Sequence, residues 1–259
     1  MSTFLFHEII YGPIKSRRLG SSLGINIIPI NEKICSFDCI YCECGWTTAF
    51  NSDNFIDKNT FKYLLENSLK NLSSKGVHLD SITFSGNGES TLHPDFLNII
   101  KETITLRDIY YPKTKITVLT NGTMIHLTEV ADALSLINQP ILKLDSAIQT
   151  EFEAINQSLF KIDVFDLIDR YINLSIPNKI IQTILLRGER NGFKINNTKK
   201  ESLDALASAI NKINPKIWML YAIDRETPEK KLEKITIIEL EQIKNYLQNI
   251  VHCEIKIYG

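Results

Sequence analysis

The chain has 259 residues, 44% of them hydrophobic and 23% charged, with a formal net charge of −1. That length supports one large α/β unit or two small ones with a substantial core, while the near-neutral balance argues against a chain-wide phosphate-tracking surface. No apolar run approaches the roughly 20 residues of a membrane helix, and Met1-Ser-Thr-Phe-Leu-Phe-His-Glu8 lacks a basic stretch followed by an apolar one, so the cytoplasm is the expected compartment.

The first candidate strand, Gly24–Ile28, runs into a segment holding four of the five cysteines. Next comes a helical period with Phe61, Leu64, Leu65, Leu69 and Leu72 on one face. Ser81–Phe84 reads as a strand, followed by the glycine-rich turn Gly86-Asn87-Gly88-Glu89. His93-Pro94-Asp95 then reads as a helix start, with proline in the first turn and a carboxylate near the positive helix end. Lys115–Thr120 and Ile141–Leu144 are short apolar strands ending on Asn121-Gly122 and Asp145-Ser146. Ile180–Leu186 ends on Arg187-Gly188-Glu189, and Leu203, Leu206, Ala207, Ile210 and Ile213 share a helix face ahead of the strand Ile217–Tyr221. Arg225–Lys234 reads as a charged surface loop. Thr236 with Glu239 has capping-box spacing before Leu240, Ile243 and Leu247, and His252–Tyr258 alternates as an edge strand would. With no repeat, low-complexity tract or linker, residues 1–259 read as one domain, with a core over about 11–221 and a C-terminal helix and strand over about 236–258.

Six βα units in succession predict a parallel sheet with right-handed crossovers, either open or closed toward a barrel. The unusual residues all follow strand C-termini, the edge where both architectures bind ligands.

Cys35-Ser-Phe-Asp-Cys39-Ile-Tyr-Cys42 is a CxxxCxxC run. A tight cluster of this kind reads as metal binding rather than as a disulfide framework. Iron–sulfur clusters are held by thiolates, and three cysteines on a four-iron cubane leave one iron for an outside ligand. Structural zinc wants four closed ligands, commonly as paired CxxC spacings. Cys44 keeps a closed cluster or a zinc site open as alternatives, whereas Cys253 reads as an ordinary semi-buried residue.

CxxxCxxC with Tyr41 before its last cysteine resembles the signature of the radical S-adenosylmethionine (SAM) superfamily. Tyr11-Gly-Pro-Ile-Lys-Ser-Arg-Arg-Leu-Gly-Ser-Ser-Leu-Gly-Ile-Asn26, Phe84-Ser-Gly-Asn-Gly-Glu-Ser-Thr-Leu-His-Pro-Asp-Phe96 and Leu119-Thr-Asn-Gly122 resemble a narrower group related to the wyosine tRNA-base synthases. The resemblance implies a partial (β/α)6 TIM-like barrel with a 4Fe–4S cluster at its mouth on Cys35, Cys39 and Cys42. It implies that SAM chelates the fourth iron and is cleaved reductively to a 5′-deoxyadenosyl radical that abstracts hydrogen from a substrate. An external electron donor such as a flavodoxin or ferredoxin is implied as well. By the same likeness Gly86, Asn87, Gly88 and Glu89 hold the methionyl amino group, Asp145 and Ser146 lie where ribose-contacting groups sit, Tyr41 packs near adenine or cluster, and Asn121 and Arg187 are further SAM contacts. Met219 and Tyr221 belong to the wall, and Lys143 and Tyr221 are candidates by position for acid–base roles in later steps, for which no catalytic residue is assigned.

Each assignment has a structural alternative: Glu89 as a helix cap, Asn121-Gly122 as a turn, Arg187 as a surface ion pair. Ser90 stands where relatives carry proline. After the first three cysteines only Cys44 and Cys253 remain, too few for the second cluster of archaeal wyosine-type relatives. An RNA base is the first expected substrate, through Lys15, Arg17 and Arg18 as a phosphate-binding spot. The alternatives are a small metabolite, activation of a glycyl-radical enzyme, and a non-enzymatic iron–sulfur or zinc protein.

Overall fold

The structure is a computed structural model, and it describes residues 4–259. In chain order the strands are β1 (Ile10–Ser16), β2 (Gly20–Ile25), β3 (Ser81–Phe84), β4 (Lys115–Thr120), β5 (Gln139–Lys143), β6 (Ile180–Ile184), β7 (Leu186–Arg190), β8 (Phe193–Asn196), β9 (Ile217–Tyr221), β10 (Leu232–Lys234) and β11 (Glu254–Tyr258). The helices are α1 (Lys58–Ser74), α2 (Phe96–Tyr110), α3 (Thr128–Ser135), α4 (Gln149–Asn156), α5 (Val164–Asn173), α6 (Lys200–Ile213) and α7 (Ile237–Gln248).

Eight strands share one sheet in the order β1-β2-β3-β4-β5-β6-β9-β11. From β2 to β11 every neighbouring pair is parallel, and each of the six strands β2, β3, β4, β5, β6 and β9 is followed by at least one helix. The sheet curls into a half-barrel, which selects the partial barrel between the two architectures the periodicity allowed. Strands buried on both faces explain the continuous apolar runs: all four residues of β3 and all five of β6 are buried.

The helices bury the faces their spacing predicts. In α1 these are Phe61, Leu65 and Leu69, behind an Asp57 N-cap whose carboxylate accepts from Asn59 N and Thr60 N. In α6 they include Leu203, Leu206, Ala207, Ile210 and Ile213. The helix start near His93 falls slightly later than its sequence suggests. Asp95 is the N-cap of α2 and makes no side-chain cap bond, so Pro94 lies just outside the helix.

Strands β1, β2, β7, β8 and β10 depart from the sequence expectation. β2 starts at Gly20 rather than Gly24 because β1, unforeseen, pairs with it as an antiparallel hairpin. The run Ile180–Leu186 divides at Leu185, whose N–H donates to Tyr221 O; Leu186 then opens a small separate sheet in the order β10-β7-β8. The β7–β8 turn is Asn191-Gly192, both at positive φ, the two-residue geometry that favours this dipeptide. The last residues of the charged loop after Tyr221 form β10, against β7.

The Thr236–Glu239 capping box is complete, with Thr236 Oγ1 accepting from Glu239 N and the Glu239 carboxylate accepting from Thr236 N. Those bonds, and then Arg187, draw the Glu239 carboxyl down to about 2. A lowered carboxyl pKa contributes stability above the unfolded value near ~4.3 and loses it as pH falls toward 2. Urea midpoints of wild type and Glu239→Gln are therefore expected to differ at pH 6, to approach each other below about pH 4 and to converge only as the pH falls through about 2.

Candidate active site

The loop after β2 carries the cysteines, and Ile34, immediately before Cys35, locks it in place. Ile34 N donates to Asn87 O at 3.0 Å and Glu89 N donates to Ile34 O at 3.0 Å, so the cysteine loop is stitched to the glycine-rich turn after β3. Gly88 sits at φ +142°, and a Cβ there would lie 1.8 Å from Ile34 O, so only glycine permits this approach. Cys35, Cys39, Cys42 and Cys44 all line one cavity of about 340 Å³ at the C-terminal mouth of the half-barrel.

The surroundings of the three motif cysteines suit thiolate ligands. Asn121 Nδ2 points at Cys35 Sγ from 3.7 Å and Asn156 Nδ2 at Cys39 Sγ from 3.5 Å. Lys33 is 2% exposed; its ammonium donates to Gly45 O at 2.7 Å and lies 3.8 Å from Asp38. Burial opposes the Lys33 charge, yet the Cys42, Cys35 and Cys39 sulfurs hold its pKa above the ordinary lysine value. Cys42 is drawn down to about 5 by a hydrogen bond from Cys44, with Lys33 assisting against burial, while burial pushes Cys35 and Cys39 up. Amide and ammonium donors aimed at sulfur are what an iron–sulfur cluster uses to tune its charge. Among the described residues no three His, Cys, Asp or Glu side chains converge on a single metal-ion position. Closely spaced thiols faced by amide and ammonium donors fit a thiolate-held cluster.

Cys44, the candidate fourth ligand, has its sulfur 3.3 Å from Gly86 O and beside Cys42, so its one S–H is shared between two acceptors. Its pKa is raised, first by the bond to Cys42 and then by burial. Cys44→Ala is expected to leave iron content at three-cysteine stoichiometry, whereas Cys39→Ala removes the cluster; iron and sulfide analysis after anaerobic reconstitution checks both.

Glu89 lies at the cavity wall, 3% exposed. Oε1 accepts from Thr91 N at 3.1 Å, Thr91 Oγ1 at 2.6 Å and Thr120 Oγ1 at 2.8 Å, and Oε2 accepts from Asn121 N at 2.7 Å. Burial raises its pKa against those bonds. Glu89 does cap a helix, the 3-10 turn Ser90–Leu92 rather than α2, and it also ties the ends of β3 and β4 together. Of a carboxylate's four acceptor positions only capacity on Oε2 is left for a ligand.

Deeper in the cavity Lys143, at the end of β5, donates to Tyr41 OH at 2.6 Å and Tyr221 OH at 2.9 Å. Asp145 lies behind them: Oδ2 accepts from Tyr41 OH and from Asn156 Nδ2, and Oδ1 accepts from Ile184 N at 3.0 Å. Burial, the Asp145 charge and the nearby Cys39 raise the Tyr41 pKa well above its ordinary value, which keeps the phenol a donor.

Of the residues singled out in the sequence, Cys35, Cys39, Cys42, Tyr41, Gly86, Gly88, Glu89, Asn121 and Lys143 line this one cavity. Four do not. Asn87 turns its side chain away, bonding Phe6 N and O and Pro29 O. Asp145 is covered by Tyr41, and Ser146 bonds Glu151. Arg187 reaches outward to Glu239 at 2.7 Å, the surface ion pair left open by its sequence context. Lys33, Asn156 and Gln182 were not foreseen; a lysine two residues before the first cysteine is the one signal that was available, and nothing local marks the other two.

The radical SAM superfamily model matches residues 33–191. The chain is 31% identical over 253 residues to a protein of Brachyspira hyodysenteriae named GTPase Obg, covering 96% of this chain and 34% of that protein. SuiB of Streptococcus suis bound to S-adenosylmethionine shares the fold with a TM-score of 0.62 at 15% identity, over 88% of this chain and 49% of that one. TYW1 with a lysine-pyruvate adduct shares it with a TM-score of 0.61 at 15% identity, over 89% and 74%. The chain thus spans about a third of the length of the Brachyspira protein and about half that of SuiB. It belongs to the radical SAM superfamily, enzymes whose cofactors are a 4Fe–4S cluster and S-adenosylmethionine.

Proposed function

We propose that this enzyme binds its cluster through Cys35, Cys39 and Cys42 and SAM against Gly86, Gly88 and Glu89, and abstracts hydrogen from a small substrate in the half-barrel lumen. The observation that carries the reading is that the three motif thiols, with Cys44 beside them, and a carboxylate with one open lone-pair position face a single cavity. When bound, the cluster supplies the electron that cleaves the SAM sulfonium–C5′ bond. The chain's own residues do the rest. Gly88 brings the cysteine loop against the turn, Glu89 Oε2 offers a partner for an ammonium group, and Asn121 and Asn156 orient the sulfurs. Lys143 with Tyr41 and Tyr221 shapes the far wall and excludes water.

A small molecule stands ahead of an RNA base. RNA would be recognised through phosphates by several cations free at the rim, but of the three expected ones only Lys15 stays exposed there; Arg17 pairs with Asp224 at 3.3 Å and Arg18 turns inward. A single domain over 1–259, an external reductant of the flavodoxin or ferredoxin type and a cytoplasmic setting complete this reading; among the described residues no helix is long and apolar enough to cross a membrane.

The test is anaerobic reconstitution, reduction with dithionite and addition of SAM, with a Cys35/Cys39/Cys42 triple-alanine variant as blank. 5′-Deoxyadenosine is expected from the intact protein alone. A cluster that forms yet neither responds to SAM by EPR nor cleaves it overturns the reading.

A further inference from the structure

We infer that the blind end of the lumen is an anion subsite: Arg18 and Lys143 hold the acid group, carboxylate or phosphate, of a small anionic substrate. This rests on the lumen being the substrate chamber of the proposed enzyme, and it names the chemical class of what enters.

Arg18 stands in the β1–β2 turn, yet its side chain crosses the lumen to the opposite wall. There NH1 donates to Gln182 Oε1 at 2.9 Å, and the guanidinium lies 4.5 Å from the centre of the Tyr221 ring. Lys143 Nζ approaches the same ring centre to 5.5 Å. Two cations therefore lie against one aromatic ring in the same cavity, Arg18 half-buried and Lys143 with 16% of its side chain exposed.

The counter-charge for both is incomplete. Among the described residues Arg18 has no carboxylate partner within ion-pair distance. Lys143 has only Asp145, at 3.9 Å, and the nearer Asp145 oxygen already accepts from Tyr41 and Asn156. A guanidinium has five N–H groups, of which one is used on Gln182. Gln182 is 3% exposed and lines the cavity, and among the described residues its NH2 group has no acceptor. Every unspent group here is a donor, and the set lacks an acceptor with negative charge.

The chamber ends just below. Ile141, Ile180 and Met219 lie two residues before Lys143, Gln182 and Tyr221 on their strands, on the same faces by strand alternation, and pack as an apolar layer with Leu19 and Leu119. An acid group held by Arg18 and Lys143 therefore sits on an apolar floor. The rest of the molecule then extends toward the thiol-lined mouth, which sets which of its carbons faces the reacting centre.

The test is the melting temperature of the reconstituted protein with acetate, inorganic phosphate or acetamide as probe, sodium chloride holding ionic strength constant. Acetate or phosphate is expected to raise it saturably while acetamide does not, and the tighter of the two identifies the acid. Arg18→Met and Lys143→Met are expected to weaken that binding about tenfold or more, since each removes a charge-assisted donor. Arg225→Met, a cavity cation already paired with Glu43, is expected to change it less than about twofold. Arg18→Lys keeps the charge without the fork and serves if the methionine variant does not fold. Absence of a saturable shift, an equal response to acetamide, or an equal loss in Arg225→Met overturns the subsite. SAM cleavage without anion binding sinks this inference alone; anion binding without SAM cleavage sinks the enzyme reading and leaves the subsite.

Discussion

Gly88→Ala is expected to leave the protein without iron and to destabilise the apoprotein by roughly 3–5 kcal/mol, the sum of backbone strain and an overpacked contact. The added methyl would sit 1.8 Å from Ile34 O and 2.6 Å from Ile34 C, both backbone atoms, so no side chain can swing aside. Ile34 is held to the turn by bonds on either side of Gly88, and Cys35 is the next residue. Relief of the contact must displace the first cluster ligand. Gly192→Ala separates the two effects. Gly192 also has positive φ, +81°, but nothing lies within 4 Å of a Cβ there. It should cost only the strain, about 1 kcal/mol, with full iron loading. Thermal melting of the apoproteins and the visible absorbance after reconstitution distinguish the pair.

The same contrast explains what was legible in the sequence. A motif whose parts are contiguous can be read directly: the three cysteines, the glycine turn and the Thr236–Glu239 box each keep their meaning within a dozen residues. The parallel strands are equally plain, because burial on both faces leaves an uninterrupted apolar run. β1 is hidden because Gly12 and Pro13 interrupt its alternation and half its residues face outward. The contents of the lumen are hidden for a different reason. Lys143 meets Tyr41 across 102 residues and Tyr221 across 78, and Arg18 meets Gln182 across 164. Periodicity states which face a residue occupies and says nothing about which loop closes over it. That is why Asp145 could be taken for a cavity group when Tyr41 covers it, and Arg18 for a rim cation when it crosses the lumen.

Glu89 carries the other large prediction, because it joins stability to ligand binding at one carboxylate. Glu89→Ala strands the donors of Thr91, Thr120 and Asn121 at a site that is 3% exposed. Each unsatisfied donor costs about 1–3 kcal/mol. Water entering from the cavity offsets part of that, so a loss of about 3–5 kcal/mol is expected. Glu89→Gln keeps the volume and either turns its NH2 toward Asn121 N or sets it against the three donors on the other oxygen; donor meets donor in both, for about 2 kcal/mol. If Glu89 were only a cap, the two variants would lose SAM affinity in proportion to their loss of stability. If Oε2 also pairs with the SAM ammonium, Glu89→Gln should weaken SAM binding at least about tenfold at a temperature where it is fully folded, because the charge-assisted bond goes with the charge. Equilibrium dialysis of SAM against the reconstituted variant, beside its melting curve, decides between a cap and a ligand.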